Sequence, residues 1–214
     1  MPYDAVIFDL DGTLLDTERM AFVSGQRALA RHGLALTEPL FLRLVGNDAV
    51  TNRAMLKDHF GDHDFDAIDA DWQAEDRQLA EAGIPHKPGA VALLTQLAAQ
   101  GTPKAIATSS RRTGAEHKLA KSALAVHFDV VVTRDCVTRA KPAPEPFLLA
   151  AQRLGVDPRR CLAFEDSNTG AKAAFAAGMT VVQVADLVRP TGQHAHHLAD
   201  DLLSGAEMAG LLRK

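Results

Sequence analysis

Residues Val6–Thr17 read V-I-F-D-L-D-G-T-L-L-D-T. An apolar run typical of a buried β-strand is followed at once by two carboxylates two positions apart, Asp9 and Asp11, and then by Gly12. Side chains two apart in an extended chain share one face, so both acids point into the same small volume. In an open α/β sheet, ligands bind beyond the carboxyl ends of the strands. The stretch therefore predicts a parallel α/β fold with a functional site after its first strand.

The spacing of Asp9 and Asp11 also predicts a bound cation. Two carboxylates that share a site repel each other strongly unless a positive charge lies between them. Magnesium fits such a pair well, because it takes a few carboxylate oxygens together with water and substrate phosphate rather than a closed protein cage. We therefore expect Mg²⁺ as the cofactor.

Three further segments carry polar or charged residues, and in the first and third of them these residues follow an apolar run. They are Lys104–Ser110 (K-A-I-A-T-S-S), Lys141–Phe147 (K-P-A-P-E-P-F) and Cys161–Gly170 (C-L-A-F-E-D-S-N-T-G). Together with Asp9–Thr13 (D-L-D-G-T) they resemble, in order, the four motifs of the haloacid-dehalogenase-like (HAD) phosphohydrolases. One such motif alone is weak evidence, whereas four in the right order make coincidence improbable.

The resemblance implies catalytic and phosphate-binding roles. Asp9 would be the nucleophile that forms an aspartyl phosphate, which splits one difficult displacement into two easier steps. Asp11 would be the acid that protonates the leaving oxygen and then the base that activates water. Thr108, Ser109 and Lys141 would bind the phosphate, the first through its hydroxyl, the second through nearby backbone N–H groups and the third through its charge.

The resemblance also implies a metal-binding set. Asp9 and Asp166 would be the carboxylate ligands, and Asp11 would contribute its backbone carbonyl so that its carboxyl stays available for proton transfer. Glu165 would be a ligand through water or a neighbour that orients the others. Which of Glu165 and Asp166 binds the metal directly is left open by the sequence.

The remaining pattern predicts a doubly wound parallel sheet, a Rossmann-like core, because apolar runs alternate with helix-like segments. The predicted strands are Ala5–Phe8, Ala105–Ala107, Val130–Val132, Leu162–Phe164 and Val181–Val184. Between them one interval has helical periodicity but no apolar strand, with predicted helices at Glu18–His32, Glu38–Leu44, Ala49–His59 and Asp64–Ala82. We expect a catalytic core formed by residues 1–16 and 85–214, and an inserted helical cap formed by residues 17–84.

Composition limits the partners. A net charge of −4 with no basic block argues against nucleic acid, whose binding requires many Lys and Arg contacts to phosphates. The sequence contains no apolar stretch near the roughly 20 residues that span a bilayer, so no membrane is expected. The two cysteines, Cys136 and Cys161, and a start unlike a signal peptide favour a reduced, cytoplasmic setting. A monomer that binds a small phosphorylated metabolite is the expectation.

Three activities fit the motifs. Hydrolysis of a phosphomonoester, either a sugar phosphate or a nucleotide monophosphate, is favoured. A β-phosphoglucomutase-like mutase is the alternative, but Ala21 and Val45 stand where those mutases carry a cap histidine and lysine. A catalytically silent phosphate-binding regulator is the second alternative, against which the intact set of acids argues. Haloacid dehalogenation is disfavoured because that branch lacks the second aspartate and needs no metal.

Two other groups have weaker interpretations. Substrate specificity is expected from a cap segment that includes Gly46 and Asn47, together with Arg53, although a helix cap and a surface cation explain the last two as well. Residues Gly192–Asp201, with their three histidines, are predicted as a polar loop rather than a metal site. The serines Ser109 and Ser110 are also expected to initiate a helix.

Overall fold

The first apolar run forms strand β1 (Ala5–Phe8), whose four residues are completely buried. The computed structural model of the protein describes residues 2–45, 47 and 49–212. The other strands of its sheet are β2 (Lys104–Ala107), β3 (Val130–Val132), β4 (Cys161–Glu165), β5 (Thr180–Val184) and β6 (His197–Ala199). All pairings in this sheet are parallel, in the order β3-β2-β1-β4-β5-β6. The predicted parallel α/β fold is confirmed.

The direction in which successive strands are added to the sheet reverses at β1. The chain runs from β1 outward through β2 to β3, then returns to the other side of β1 as β4 and continues outward to β6. In register, Phe8 pairs with Ile106 on one side and with Phe164 on the other. Residues that follow these three strands therefore emerge at one edge of the sheet, at the switch point where ligands bind in this architecture.

Helices cover the sheet because parallel strands bury both faces. In the same unit as the sheet they are α5 (Ala90–Ala99), α6 (Arg112–Lys121), α7 (Glu145–Leu154), α8 (Asn168–Ala176) and α9 (Leu202–Met208). Phe147 of α7 packs in the same buried cluster as Ile7, Ala163 and three alanines of α8. Within the sheet, the rings of Phe8 and Phe164 stack with their centroids 5.2 Å apart. This packing fixes the strand ends that carry the site.

The described residues of the interval without apolar runs form four helices and no strand. They are α1 (Thr17–Arg31), α2 (Glu38–Leu44), α3 (Ala49–Phe60) and α4 (Phe65–Glu81). Helices α1 and α4 pack closely at Gly25, where a Cβ atom would lie 2.4 Å from the Trp72 ring. Asp64 caps α4 by accepting hydrogen bonds from two backbone N–H groups, and the buried Glu75 pairs with Arg31. No described helix is both long and apolar enough to cross a membrane.

The chain divides into two compact units, one of Met1–Asp16 with Pro85–Lys214 and the other of Thr17–Ile84. At the point where the second unit is inserted, the two flanking segments of the first unit are hydrogen-bonded to each other. The N–H of Asp16 donates to the Pro85 carbonyl at 2.9 Å, and the N–H of Lys87 donates to the Leu14 carbonyl at 2.9 Å.

Two local predictions are wrong. His197–Ala199 is not a loop but strand β6, which pairs with β5. The strand was missed because it is short and lies half-exposed at the edge of the sheet, so its sequence does not need to be an apolar run. Helix α6 has Arg111 at its N-cap position and no side-chain cap, so the two preceding serines do not initiate it. The hydroxyl of Ser110 is used elsewhere, as described below.

Candidate active site

Asp9, Lys141 and Glu165 form a buried chain of charges at the end of β1 and β4. The Lys141 ammonium group lies 2.5 Å from Oδ1 of Asp9 and 2.6 Å from Oε1 of Glu165. The side chains of Lys141 and Glu165 are 4% and 1% exposed. One lysine thus joins carboxylates from neighbouring strand ends, because its three donors can serve both at once.

The burial and closeness of these side chains shift the pKa values of Asp9 and Lys141. Burial, opposed by Lys141 and assisted by the charges of Glu165 and Asp11, raises the pKa of Asp9 to about 7. Burial disfavours a charged lysine, but the carboxylates of Asp9 and Glu165 outweigh it and raise the pKa of Lys141 above its ordinary value. The site therefore carries more negative charge than Lys141 alone balances.

Glu165 is held by two sets of donors. Its Oε1 accepts from Lys141, and its Oε2 accepts from the backbone N–H of Ser167 at 2.8 Å and from the Ser167 hydroxyl at 2.9 Å. The space for this carboxylate exists because residue 170 is glycine, where a Cβ atom would lie 1.6 Å from Oε1 of Glu165. Glu165 therefore orients Lys141, and both of its oxygens have protein partners.

Asp166 lies beside the first motif. Its Oδ1 accepts a hydrogen bond of 2.9 Å from the Thr13 hydroxyl, and a Cβ atom at Gly12 would lie 2.5 Å from its Oδ2. Burial first, and then the charges of Glu165, Asp9 and Asp186, raise the pKa of Asp166 well above its ordinary value, while Thr13 opposes the shift. Asp166 is thus a second carboxylate whose charge needs a partner.

A further ion pair borders Gly12. The Lys87 ammonium group lies 2.7 Å from Oδ1 of Asp186, and the two side chains are 12% and 6% exposed. Oδ2 of Asp186 is 2.9 Å from the position that a Gly12 Cβ atom would take. Asp186 is therefore a third acid near Asp166, after Asp9 and Glu165, and Lys87 already neutralises its charge.

Asp11 has partners different from those of Asp9. Its Oδ2 accepts from the Ser110 hydroxyl at 2.7 Å, and its Oδ1 accepts from the Lys118 ammonium group at 2.6 Å. Lys118 also donates to Ser110 at 3.0 Å. The carboxyl of Asp11 is therefore oriented by helix α6 and the loop before it.

Thr108 and Ser109 follow strand β2. Thr108 is buried, its N–H donates to the Val132 carbonyl at 2.9 Å, and its Oγ1 accepts from the N–H of Ser110 at 3.0 Å. Ser109 is exposed. Because β2 adjoins β1, both residues lie at the sheet edge that carries Asp9, which suits the predicted contact with phosphate.

The donor set suits magnesium. Among the described residues no group of three or more His, Cys, Asp or Glu side chains is arranged to hold a metal. Magnesium does not require one, since one or two carboxylates with water and substrate phosphate suffice. Asp9 and Asp166 are two such carboxylates, and the pKa of each is raised first by burial and then by neighbouring carboxylate charges, which a cation would offset.

The predicted specificity residues lie in the helical unit, except that Gly46 falls outside the described residues. Asn47 lies beyond the end of α2, and its side-chain amide donates a hydrogen bond of 2.7 Å to the carbonyl of Arg43 in that helix. Arg53 pairs with Asp66 at 2.5 Å and with Asp69 at 3.2 Å. Asn47 and Arg53 both line a cavity within this unit.

Sequence reasoning missed several contacts of the site, namely those made by Thr13, Lys87, Ser110, Lys118 and Asp186. Thr13 and Ser110 had a signal, because they belong to the D-L-D-G-T and K-A-I-A-T-S-S stretches themselves. Lys118 is separated from Asp11 by 107 positions and Lys87 from Asp186 by 99, and neither pair forms a local pattern.

The site joins a switch-point carboxylate to a buried lysine and an acidic pair at one edge of a parallel sheet, and a helical unit is inserted in the chain after the first strand. This arrangement is that of the haloacid dehalogenase-like hydrolases. A family model described as haloacid dehalogenase-like hydrolase matches residues 3–178. The chain belongs to this family.

Named relatives and a solved structure support the same family and indicate the enzyme class. The chain is 34% identical to fructose-1-phosphate phosphatase YqaB of Escherichia coli, over 85% of this chain and 96% of that protein. It is 37% identical to hexitol phosphatase A of the same organism, over 83% of this chain and 81% of that protein. A HAD family hydrolase from Deinococcus radiodurans, with bound phosphate and sodium, superimposes with a TM-score of 0.83 at 30% identity, covering 98% and 95% of the two chains. The predicted family and the predicted enzyme class, a phosphatase, are confirmed.

Proposed function

We propose that the protein hydrolyses small phosphorylated sugars or sugar alcohols through an aspartyl phosphate on Asp9. The observation that carries this proposal is the contact of Asp9 with the buried Lys141 at the end of the central strand. The relatives named as phosphatases of fructose 1-phosphate and of hexitol phosphates support a sugar rather than a nucleotide as the leaving group.

In the first step, a carboxylate oxygen of Asp9 forms a bond to phosphorus while the bond from phosphorus to the sugar oxygen breaks. Lys141 and the Thr108 hydroxyl donate to the phosphoryl oxygens, whose charge they offset. Asp11 gives its proton to the departing oxygen, so that an alcohol leaves rather than an alkoxide. Ser110 and Lys118 hold the Asp11 carboxyl in one orientation during this transfer.

In the second step, Asp11 accepts a proton from water as the water oxygen attacks phosphorus. The bond between Asp9 and phosphorus breaks, which releases inorganic phosphate and restores the carboxylate. Asp11 thereby regains the proton that it gave up, so the cycle is balanced. Ser109 would contribute its own backbone N–H to the phosphate at the end of β2, because the N–H groups of Thr108 and Ser110 are bonded to the Val132 carbonyl and to the Thr108 hydroxyl.

Magnesium would be held by the carboxylates of Asp9 and Asp166 and the backbone carbonyl of Asp11. When bound, it supplies positive charge against the phosphoryl oxygens and the crowded carboxylates. Glu165 would act on this site through Lys141, because its two oxygens are bonded to Lys141 and Ser167. We assign Asp166 rather than Glu165 as the direct ligand.

We further propose that the unit with the sheet is the catalytic core and that Thr17–Ile84 is its cap. Hydrolysis is favoured over mutase activity because the positions of the mutases' cap histidine and lysine are held by Ala21 and Val45, which line the cavity of the helical unit. Neither of these two side chains can bind or direct a proton.

The direct test is phosphate release from an aryl phosphate in Mg²⁺, measured for the wild type and for Asp9→Asn. We expect hydrolysis by the wild type and a loss of at least about 10³-fold in the variant, because an amide cannot replace the nucleophile. Thermal unfolding of both proteins checks that the variant is folded. Equal rates for the two folded proteins would overturn the proposal.

A further inference from the structure

Lys87 and Asp186 form a shielded ion pair that has no part in the proposed reaction. The Lys87 ammonium group lies 2.7 Å from Oδ1 of Asp186, and the two side chains are only 12% and 6% exposed. A buried ion pair often stabilises a fold no more than well-packed apolar side chains would, because both charges lose their water. Stability alone therefore does not explain why this pair is present.

The pair borders the carboxylate that we assign to the metal. Oδ2 of Asp186 lies 2.9 Å, and Oδ2 of Asp166 lies 2.5 Å, from the position that a Cβ atom at Gly12 would take. The two oxygens therefore approach the same small volume, which residue 12 leaves open because it is glycine. Burial and the charges of Glu165 and Asp9 raise the pKa of Asp166 most, and the charge of Asp186 adds to them.

Hydrogen bonds hold this arrangement in place. The amide of Gln183, completely buried on β5, donates to the backbone carbonyl of Asp166 at 3.0 Å. This bond ties the strand that precedes Asp186 to the turn that carries Asp166. The backbone N–H of Lys87 donates to the Leu14 carbonyl, just after the first motif. The separation of the Asp186 charge from Asp166 is therefore fixed by the fold.

An ion pair at this position acts on a nearby cation with two opposite charges. A carboxylate a few ångströms from bound Mg²⁺ attracts it without being a ligand, and groups around the ligands of a metal change its affinity by about 10- to 100-fold. An ammonium group bonded to that carboxylate opposes the attraction. The balance between the two charges then sets how tightly the site binds Mg²⁺.

We propose that Asp186 and Lys87 set the Mg²⁺ affinity of the site: Asp186 strengthens cation binding as a positioning residue beside Asp166, and Lys87 limits it. The inference rests on the proposed function, since it concerns the metal held by Asp9 and Asp166. It extends the metal site to two residues that belong to none of the four sequence motifs.

Three variants test the proposal, because the two charges must act with opposite signs. Asp186→Asn should weaken Mg²⁺ binding about tenfold, since it removes the attracting charge and keeps the shape of the side chain. Lys87→Met should tighten binding about three- to tenfold, since the charge of Asp186 is no longer opposed. The double variant Lys87→Met/Asp186→Asn should bind Mg²⁺ within about threefold of the wild type, because it removes both charges together.

The dissociation constant of Mg²⁺ is obtained from the rise in melting temperature with Mg²⁺ concentration at pH 8, after treatment with EDTA. The melting temperature in EDTA alone shows whether each variant is folded. Asp129→Asn is the matched control, because it makes the same change of charge at an exposed acid before β3, at the opposite ends of the strands. It should leave the dissociation constant unchanged. The Mg²⁺ concentration for half-maximal hydrolysis of nitrophenyl phosphate should follow the same order.

The outcomes separate this inference from the function on which it rests. If Lys87→Met does not fold, Asp186→Asn and the double variant decide, because removal of Lys87 should restore the affinity that Asp186→Asn loses. Weaker Mg²⁺ binding in every folded variant, which a purely structural role predicts, or constants equal to that of the wild type would show that the inference is wrong while the phosphatase activity stands. If the wild type binds no Mg²⁺, or if Asp166→Asn binds it as tightly as the wild type, the metal site in the proposed function fails and the inference fails with it.

Discussion

The ammonium group of Lys141 lies 2.5 Å from Oδ1 of Asp9, with the two side chains 4% and 9% exposed. Charges so far from water are stable only when paired, and removal of one partner leaves the other uncompensated. Lys141 also neutralises Glu165, which lies on its other side. This lysine therefore links the stability of the core to the chemistry of Asp9.

Lys141→Met should impair both properties. We expect kcat/KM to fall by at least about 10²-fold, because the phosphate loses a charged donor, and the free energy of unfolding to fall by about 3 kcal/mol, because two buried carboxylates lose their partner. Steady-state kinetics and urea unfolding measure the two effects. Lys172→Met, at an exposed position of α8, is the control. An unchanged stability of Lys141→Met would contradict the role given to this ion pair.

Gly170→Ala tests the space that Glu165 requires. A Cβ atom at this position would lie 1.6 Å from Oε1 of Glu165, so the carboxylate must move away from Lys141. We expect a loss of about 2 kcal/mol or more in unfolding free energy and a lower kcat, since an overpacked site shifts its neighbours.

Gly114→Ala is the matched control for this change, because Gly114 also lies in a helix and a Cβ atom there would meet none of the described residues within 4 Å. It should raise the unfolding free energy by up to about 1 kcal/mol, the difference in helix propensity between the two residues. If the two variants have similar stabilities, the packing around Glu165 is not what makes residue 170 a glycine.

The partners of Asp11 are tested by the choice of leaving group. Ser110→Ala and Lys118→Met remove the two groups that orient its carboxyl. A sugar alcohol needs a proton to leave, whereas nitrophenolate leaves without one. We expect hydrolysis of a sugar phosphate to slow about tenfold and hydrolysis of nitrophenyl phosphate to slow much less. A uniform loss on both substrates would argue that these residues only support the fold.

Metal binding can be measured apart from activity. Mg²⁺ should raise the melting temperature of the wild type after treatment with EDTA, because a ligand that binds only the folded state stabilises it. Asp166→Asn should lose most of this shift, since one of the two proposed carboxylate ligands is gone. EDTA should also abolish hydrolysis, and Mg²⁺ should restore it. A full thermal shift in Asp166→Asn would remove Asp166 from the metal site.

The sequence predicted the architecture because its signals are local, and for the same reason the structure brings several of the predicted site residues together. A buried parallel strand is an apolar run, and Asp9, Thr108 and Asp166 each follow such a run, so the parallel order brings these three residues to one edge. The contacts of Lys118 with Asp11 and of Lys87 with Asp186 join distant segments through tertiary packing. Strand β6 was missed because an edge strand of three residues needs no apolar run.

The central claim is that phosphorus becomes bonded to the Asp9 carboxyl during turnover, and rapid acid quenching of the enzyme with ³²P-labelled substrate tests it most directly. The account predicts labelled protein within the first turnover, with the label on the peptide that contains Asp9 and absent from Asp9→Asn. Turnover that proceeds with no label on that peptide, or with label on another residue, would contradict it.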